Sequence, residues 1–275
     1  MRRKPPTRAG LPIIAFLTDF GTRDHYVGAM RGVALGICPH ATLVDITHEV
    51  AAQDVLGGAL ELAAAYKYFP QDTIFLCVVD PGVGSRRRAL AAEAGGYRFV
   101  APDNGLLTMV FREAAPSQVV ELDNPQYARP VVSRTFEGRD RLAPAAAWLA
   151  NGVELRALGT AVAKWEMLAV AEPTAGAGEL RGIVVRIDRF GNLITNLDRR
   201  TFEVFAGDRR VDIDVGRHHL EHLVHTYSGV ETGSLCALFG SSDHLEIAVN
   251  GGSAVERLAV SRGASVVVRL KPDAT

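Results

Sequence analysis

Asp80 closes an apolar run, Ile74 to Val79, and is followed by Pro81, Gly82, Gly84 and the arginines Arg86, Arg87 and Arg88. A carboxylate and a guanidinium held close tune each other's charge and can together grip a small polar ligand. The same residues also make an ordinary β-turn with solvated arginines, so their setting has to decide between the two readings. Three further polar groups share that ambiguity. They are Asp19 in Leu-Thr-Asp-Phe-Gly, Asp103-Asn104-Gly105, and Glu137 within Thr135-Phe-Glu-Gly-Arg-Asp140. Each alone reads as a turn or a helix cap. Several acids on one edge of a sheet read as a site. Later in the chain, Ile187 to Asn196 is a hairpin-like turn carrying Asp188, Phe190 and Asn192. An aromatic plane beside an amide suits a purine, which takes stacking on its face and hydrogen bonds on its edge. Turn stabilisation by the Asp and Asn side chains is the simpler account of that stretch, as it is of Gly240-Ser241-Ser242.

The elements that must hold these groups alternate strand and helix in the first half. Strands are expected at Ile13–Thr18, Thr42–Ile46 and Thr73–Val79, where apolar and β-branched residues run together. Tyr26, Met30, Val33, Ala34 and Ile37 fall on one helical face that Pro39 terminates, and Asp54 can cap a helix through Val55, Ala59, Leu62 and Tyr66. A hairpin turns at Gly95-Gly96, and a short helix (105–112), a strand (118–122) and a helix (140–150) follow. This rhythm predicts an α/β domain, residues 12–171, with a mostly parallel sheet whose strand tips form the ligand-binding edge. Residues 172–180, rich in glycine, proline and small residues, are the expected linker. Short strands at 182–187, 193–197, 210–215, 234–239, 245–249 and 265–270 predict a smaller all-β barrel domain over residues 181–275. Residues 1–11 are expected to be a flexible tail.

Composition narrows the function. With 275 residues, 48% hydrophobic and 22% charged, the chain can bury a sizeable core. A formal net charge of -1 gives no electrostatic reason to bind nucleic acid or an anionic membrane, and no apolar run is long enough to span one. Cys38, Cys77 and Cys236 are isolated in apolar segments, as reduced core thiols of a cytoplasmic protein would be. His218, His219, His222 and His225 cluster, but without the Glu of a His-Glu-x-x-His pair, and an amphipathic surface helix accounts for them; no metal is expected. No Walker loop, Gly-x-Gly-x-x-Gly, serine elbow or CxxC is present.

Taken in order, Leu-Thr-Asp-Phe-Gly (17–21), Val-Asp-Pro-Gly-Val-Gly (79–84), Pro-Asp-Asn-Gly (102–105), Phe-Glu-Gly-Arg-Asp (136–140), Asp-Arg-Phe-Gly-Asn (188–192) and Gly-Ser-Ser (240–242) resemble the S-adenosylmethionine hydroxide adenosyltransferases, relatives of fluorinase and chlorinase. The resemblance runs from about residue 12 to the C-terminus. It implies attack of water on C5′ of S-adenosyl-L-methionine, giving adenosine and L-methionine, with no cofactor. It also implies a homotrimer with each active site shared between subunits. By the match of motifs, Asp19 holds the ribose hydroxyls. Asp24, Asp188 and Ser241 lie near the methionine ammonium, Phe190 packs on the adenine, and Asn192 bonds its edge. The strand from Glu246 to Val249 adds main-chain contacts to the purine.

A sulfonium leaves as a neutral thioether, so such an enzyme needs only to orient water, take its proton and exclude solvent. The family uses an Asp–Arg–His set for this. Asp80 and Arg87 match the first two members, with Arg86 and Arg88 as alternatives for the second. Glu137 stands where the family has histidine. A carboxylate there can pair with Arg87 and accept a proton, but donates nothing when ionised. A halide-using reaction fits less well, because a carboxylate at Asp80 repels chloride or fluoride. The other alternative, favoured by the change at Glu137, is a non-catalytic binder of adenosine or S-adenosylmethionine.

Overall fold

The computed structural model describes residues 10–220 and 223–271, and the chain divides into two compact units between Leu168 and Ala169. Most of the expected tail, residues 1–9, lies outside the described residues.

The first unit contains strands β1 (Ile13–Thr18), β2 (Thr42–Thr47), β3 (Ile74–Val78), β4 (Ala89–Ala94), β5 (Tyr97–Pro102) and β6 (Pro116–Glu121). Its helices are α1 (Tyr26–Ile37), α2 (Val55–Ala65), α3 (Thr108–Glu113) and α4 (Ala143–Ala150). The strands form one sheet in the order β2-β1-β3-β5-β4-β6, in which β2, β1, β3 and β5 are parallel neighbours and only β4 runs against the rest. Alternation sorts the side chains by face. Ile14, Phe16, Ile74, Leu76 and Val78 pack with Met30 and Ala34 of α1 and Ala143 to Ala147 of α4. Ala15, Leu17, Phe75, Cys77 and Val79 pack with Leu62 of α2 and Val110 and Phe111 of α3. Both faces are therefore covered, which is why β1 and β3 read as unbroken apolar runs. The β4–β5 hairpin turns at Gly95 and Gly96, both at positive φ (58° and 84°), where glycine carries no steric cost.

The second unit is the predicted β-barrel. Antiparallel strands follow the order β11-β10-β14-β8-β9-β13-β12, with β7 (Thr174–Gly176) paired to β8 (Glu179–Ile187). The others are β9 (Leu193–Asp198), β10 (Val211–Val215), β11 (His218–Leu220), β12 (Leu235–Phe239), β13 (His244–Val249) and β14 (Ser265–Leu270). A bridge between Leu223 and Ala237 brings the two ends of this path together, so the sheet nearly closes. Leu180, Val184, Leu193, Ile213, Val215, Ala237, Leu245, Ile247 and Val266 fill the interior. Two helices, α5 (Arg199–Ala206) and α6 (Ala254–Leu258), lie between strands and were not foreseen.

Two expectations change. Part of the stretch expected to link the units is hairpin, since β7 pairs with the start of β8. The histidine cluster is not a helix: His218 and His219 are neighbours on β11 and bond to different partners, Leu258 O at 2.9 Å and Asp214 Oδ1 at 2.8 Å. Successive strand residues point to opposite faces, so the i, i+4 spacing loses its meaning; His222 lies outside the described residues. The three cysteines are buried and unbridged, and burial raises each thiol.

Candidate active site

Sheet order assembles the acids of the first unit. The chain leaves β1 for β2 on one side and later returns to β3 on the other, so the carboxyl ends of β1 and β3 flank a topological switch point. Thr18 is in register with Val78, which brings Asp19 and Asp80 to one edge on adjacent strands. Leu76 is in register with Val100, so Asp103 stands at the same edge one strand further along.

At this edge the glycine turn folds Arg87 back onto Asp80. Arg87 Nε donates to Asp80 Oδ1 at 2.8 Å and Nη2 donates to Oδ2, a bidentate pair whose side chains are 9% and 5% exposed. Glu137 joins them, its Oε2 2.7 Å from Arg87 Nη2. No donor is aligned on that oxygen, so this contact is ionic rather than a directed hydrogen bond. Burial works to lower the Arg87 pKa, but Asp80 first and Glu137 second outweigh it and move the guanidinium upward. The cation is fixed between two anions.

Local geometry explains the convergence. Gly84 sits at φ 79°, and a Cβ there would lie 2.4 Å from the Arg134 carbonyl oxygen. Only glycine lets the turn after β3 press against the segment that carries Glu137. That segment is anchored in turn by Asp140, fully buried, which accepts Ser133 N at 2.9 Å and both Nε and Nη2 of Arg139. Burial opposes ionisation of Asp140, yet Arg139 and the Ser133 N–H hold its pKa below the usual carboxylate range. Glu137 immediately precedes a π-helical turn, Gly138–Leu142, a feature found frequently at functional sites.

The neighbouring arginines are otherwise employed. Arg88 binds Asp103 through Nε (2.8 Å) and Nη2 (2.6 Å) and reaches Lys164 O, while Arg86 is exposed. Arg87 is therefore the arginine paired with Asp80. Asp19 is half-buried and its Oδ2 accepts Gln53 N at 2.8 Å; Asp24 is exposed in the turn before α1.

In the second unit Asp188 organises its own turn. One carboxylate oxygen accepts the N–H groups of Phe190 and Asn192, both at 2.9 Å, and the other accepts Asn192 Nδ2 at 2.9 Å. Phe190 is thrust outward, 74% exposed, and Asn192 is buried. A Cβ on Gly191 would lie 2.2 Å from Ser253 Oγ, so the turn is clamped to the start of α6. Glu246 is buried on β13 and accepts the Tyr227 hydroxyl at 2.6 Å. Burial pushes the Glu246 carboxyl up, Tyr227 offsets part of this, and Asp188 adds to it. Gly240 closes over the same carboxylate, its missing Cβ being 2.3 Å from Oε2, and Ser241 follows exposed at the turn. The ladder of β13 with β9 ends at Ile247, while Val249 pairs with Leu235 and accepts Gly252 N.

The family models agree with this architecture. The SAM hydroxide adenosyltransferase N-terminal domain matches residues 14–159, and the C-terminal domain of the same family matches residues 182–267. The chain belongs to this family. Among its relatives in the family, the "(R)-S-adenosyl-L-methionine hydrolase" of Thermus thermophilus is 38% identical over 263 residues, covering 92% of this chain and 98% of the relative. The protein of that name from Salinispora tropica is 37% identical, covering 93% and 97%. A "Fluorinase" from an Actinoplanes species is 33% identical, covering 70% and 74%. Among solved structures, an uncharacterized conserved protein from Thermotoga maritima superposes with a TM-score of 0.89 at 37% identity, covering 93% of this chain and 99% of that one.

Within the family frame, the structure brings to these sites two residues that sequence reasoning missed, Tyr227 and His48, and gives Arg88 a different partner from the Asp80 considered for it. Tyr227 holds Glu246, Arg88 braces Asp103, and His48 contacts Thr18 beside Asp19. Neither Tyr227 nor His48 left a signal in the sequence motifs, since both act through partners distant in the chain.

Proposed function

We propose that this protein hydrolyses S-adenosyl-L-methionine to adenosine and L-methionine. The observation that carries the reading is the buried Asp80–Arg87–Glu137 set at the switch point of a sheet belonging to this family. In the reaction the oxygen of water attacks C5′, the C5′–S bond breaks, and its electron pair returns to sulfur as the methionine thioether. One proton must leave the attacking water, and Asp80 accepts it. Arg87 holds that carboxylate in place through two hydrogen bonds. Glu137 takes the place of the family histidine by balancing the charge of Arg87, which its 2.7 Å contact supports.

Substrate contacts follow the motifs: Asp19 to the ribose hydroxyls; Asp24, Asp188 and Ser241 toward the methionine ammonium; Phe190 and Asn192 to the adenine; and the β13 main chain from Glu246 to Val249 to the purine. Exposure of the Phe190 ring supports its availability for stacking. No cofactor is part of this reading. A homotrimer and a cytoplasmic setting go with it as proposals; no helix among the described residues is long and apolar enough to cross a membrane.

The test is chromatography of S-adenosylmethionine incubated with purified protein. Equal amounts of adenosine and methionine should form, and an Asp80→Asn preparation, which controls for contaminating nucleosidases, should form almost none. Tight adenosine binding without turnover, unchanged by Asp80→Asn, would make the protein a binder instead.

A further inference from the structure

One polar chain in the first unit is used by none of these roles. Thr18, the last residue of β1, is fully buried, and its hydroxyl lies 2.9 Å from His48 Nδ1. Phe20 N–H donates to the same hydroxyl at 3.3 Å. His48, just after β2, is 5% exposed, and its Nε2 lies 3.0 Å from Asp45 Oδ1, off hydrogen-bond alignment. Asp45 pairs with Arg31 of α1. His48 also holds the turn by its main chain, where its carbonyl accepts Gly21 N at 2.7 Å.

The contacts therefore bracket Asp19. Residue 18 is held by the ring, residue 20 through the Thr18 hydroxyl, and residue 21 by the His48 carbonyl. On its far side the Asp19 carboxylate accepts Gln53 N. The direction of the chain follows from its ends. The Asp45 anion favours the imidazole hydrogen on Nε2, which leaves Nδ1 to accept the Thr18 O–H. The hydroxyl lone pairs are then free for Phe20 N–H. A merely space-filling side chain at position 48 would leave the hydrogen of a fully buried hydroxyl without this acceptor.

We propose that His48 is a positioning residue for Asp19, fixing the turn so that its carboxylate meets both hydroxyls of the nucleoside ribose. This rests on the reading of Asp19 as the ribose contact. A carboxylate takes a diol through two hydrogen bonds only if its plane is set, so a loosened turn loses the second bond first.

The experiment compares binding of adenosine and 2′-deoxyadenosine by calorimetry, with steady-state kinetics on S-adenosylmethionine, using the full chain. Wild type should prefer adenosine by about tenfold or more, the size of one hydrogen bond to a charged group. Asp19→Asn should erase that preference. His48→Ala should reduce it to about threefold or less by weakening adenosine alone, and should raise KM while changing kcat less than about threefold. His48→Asn, whose amide oxygen can replace Nδ1 as acceptor, should restore most of the preference. Thr18→Val reports the same loss if His48→Ala does not fold.

Failure of Asp19→Asn to change the preference overturns the ribose reading itself. Collapse with Asp19→Asn but not with His48→Ala or Thr18→Val overturns this inference alone. Equal weakening of both nucleosides by His48→Ala also overturns it, since that is general damage to the fold.

Discussion

Arg87 is shared between two acids, and that sharing has a measurable signature. Asp80 takes Nε and Nη2 through directed bonds, whereas Glu137 takes only an ionic contact at Nη2. Neutralising one acid leaves a guanidinium that is 9% exposed with one anion still beside it. Asp80→Asn should then cost about 2 kcal/mol of folding stability, the value of hydrogen bonding between charged groups, and Glu137→Gln about 1 kcal/mol or less. Removing both anions is different in kind. Stripping the last partner from a buried ion costs about 3–5 kcal/mol, so the double variant should be destabilised beyond the sum of the two single variants by about 1–3 kcal/mol. Urea titration of the four proteins at one protein concentration gives this coupling.

Activity should divide differently. With Asp80 as the proposed proton acceptor, Asp80→Asn should lower kcat by about 10²–10⁴-fold, while Glu137→Gln, which leaves Asp80 and its two bonds in place, should cost about tenfold. Adenosine release measured by chromatography separates the two. Additive stabilities within about 0.5 kcal/mol would mean that Arg87 finds other company, such as the Arg88 carbonyl oxygen it already touches through Nη1. An Asp80→Asn enzyme with kcat within threefold of wild type would refute the role of the pair outright.

Phe190→Ala should leave the unfolding midpoint nearly unchanged, because the ring is 74% exposed, yet weaken adenosine about 3–10-fold in calorimetry. Gly84→Ala should lower the thermal midpoint by several degrees and reduce kcat, since its Cβ would meet the Arg134 carbonyl oxygen at 2.4 Å and disturb the turn beneath Arg87. Glu246 has a folded pKa raised above its ordinary value, first by burial, so its contribution to stability is present below that ordinary value and is lost as pH rises through the folded one. Glu246→Gln should therefore gain midpoint relative to wild type between pH 4 and pH 8, and a difference that stays flat across that range would contradict the assignment.

What the sequence disclosed depended on how local the cause was. Strands β1 and β3 and the capping of α2 by Asp54 were legible because apolar runs and cap residues act within a few positions. The Asp188–Phe190–Asn192 turn was legible for the same reason, its hydrogen bonds all spanning four residues or fewer. His218 to Leu220 misled because a helical spacing of histidines outweighed a three-residue strand, whose pairing with β10 is tertiary. The choice among Arg86, Arg87 and Arg88 could not be read locally. Partners such as Lys164, which lies 76 residues from Arg88, decide it. Glu137 was marked as a departure by its motif, but its contact with Arg87 depends on a turn 50 residues upstream.

The arginine run shows how one short stretch serves two strand tips. Arg88 immediately precedes β4, its carbonyl accepting Asp103 N, and its side chain ties Asp103 just past the end of β5. Arg87, one residue earlier, turns back to Asp80 beyond β3. Because β3 and β5 are neighbours, these two bridges tie the turn and β4 to both strand tips. Loss of Arg88 should therefore act on Asp80 indirectly, through the path of the turn, while Arg87 acts on it by direct contact. Arg88→Ala should soften the turn and lower stability with a modest loss of kcat, whereas Arg87→Ala should abolish most of kcat. Equal catalytic losses from the two variants would show that the run works as a diffuse basic patch, and the division of labour drawn from these contacts would be wrong.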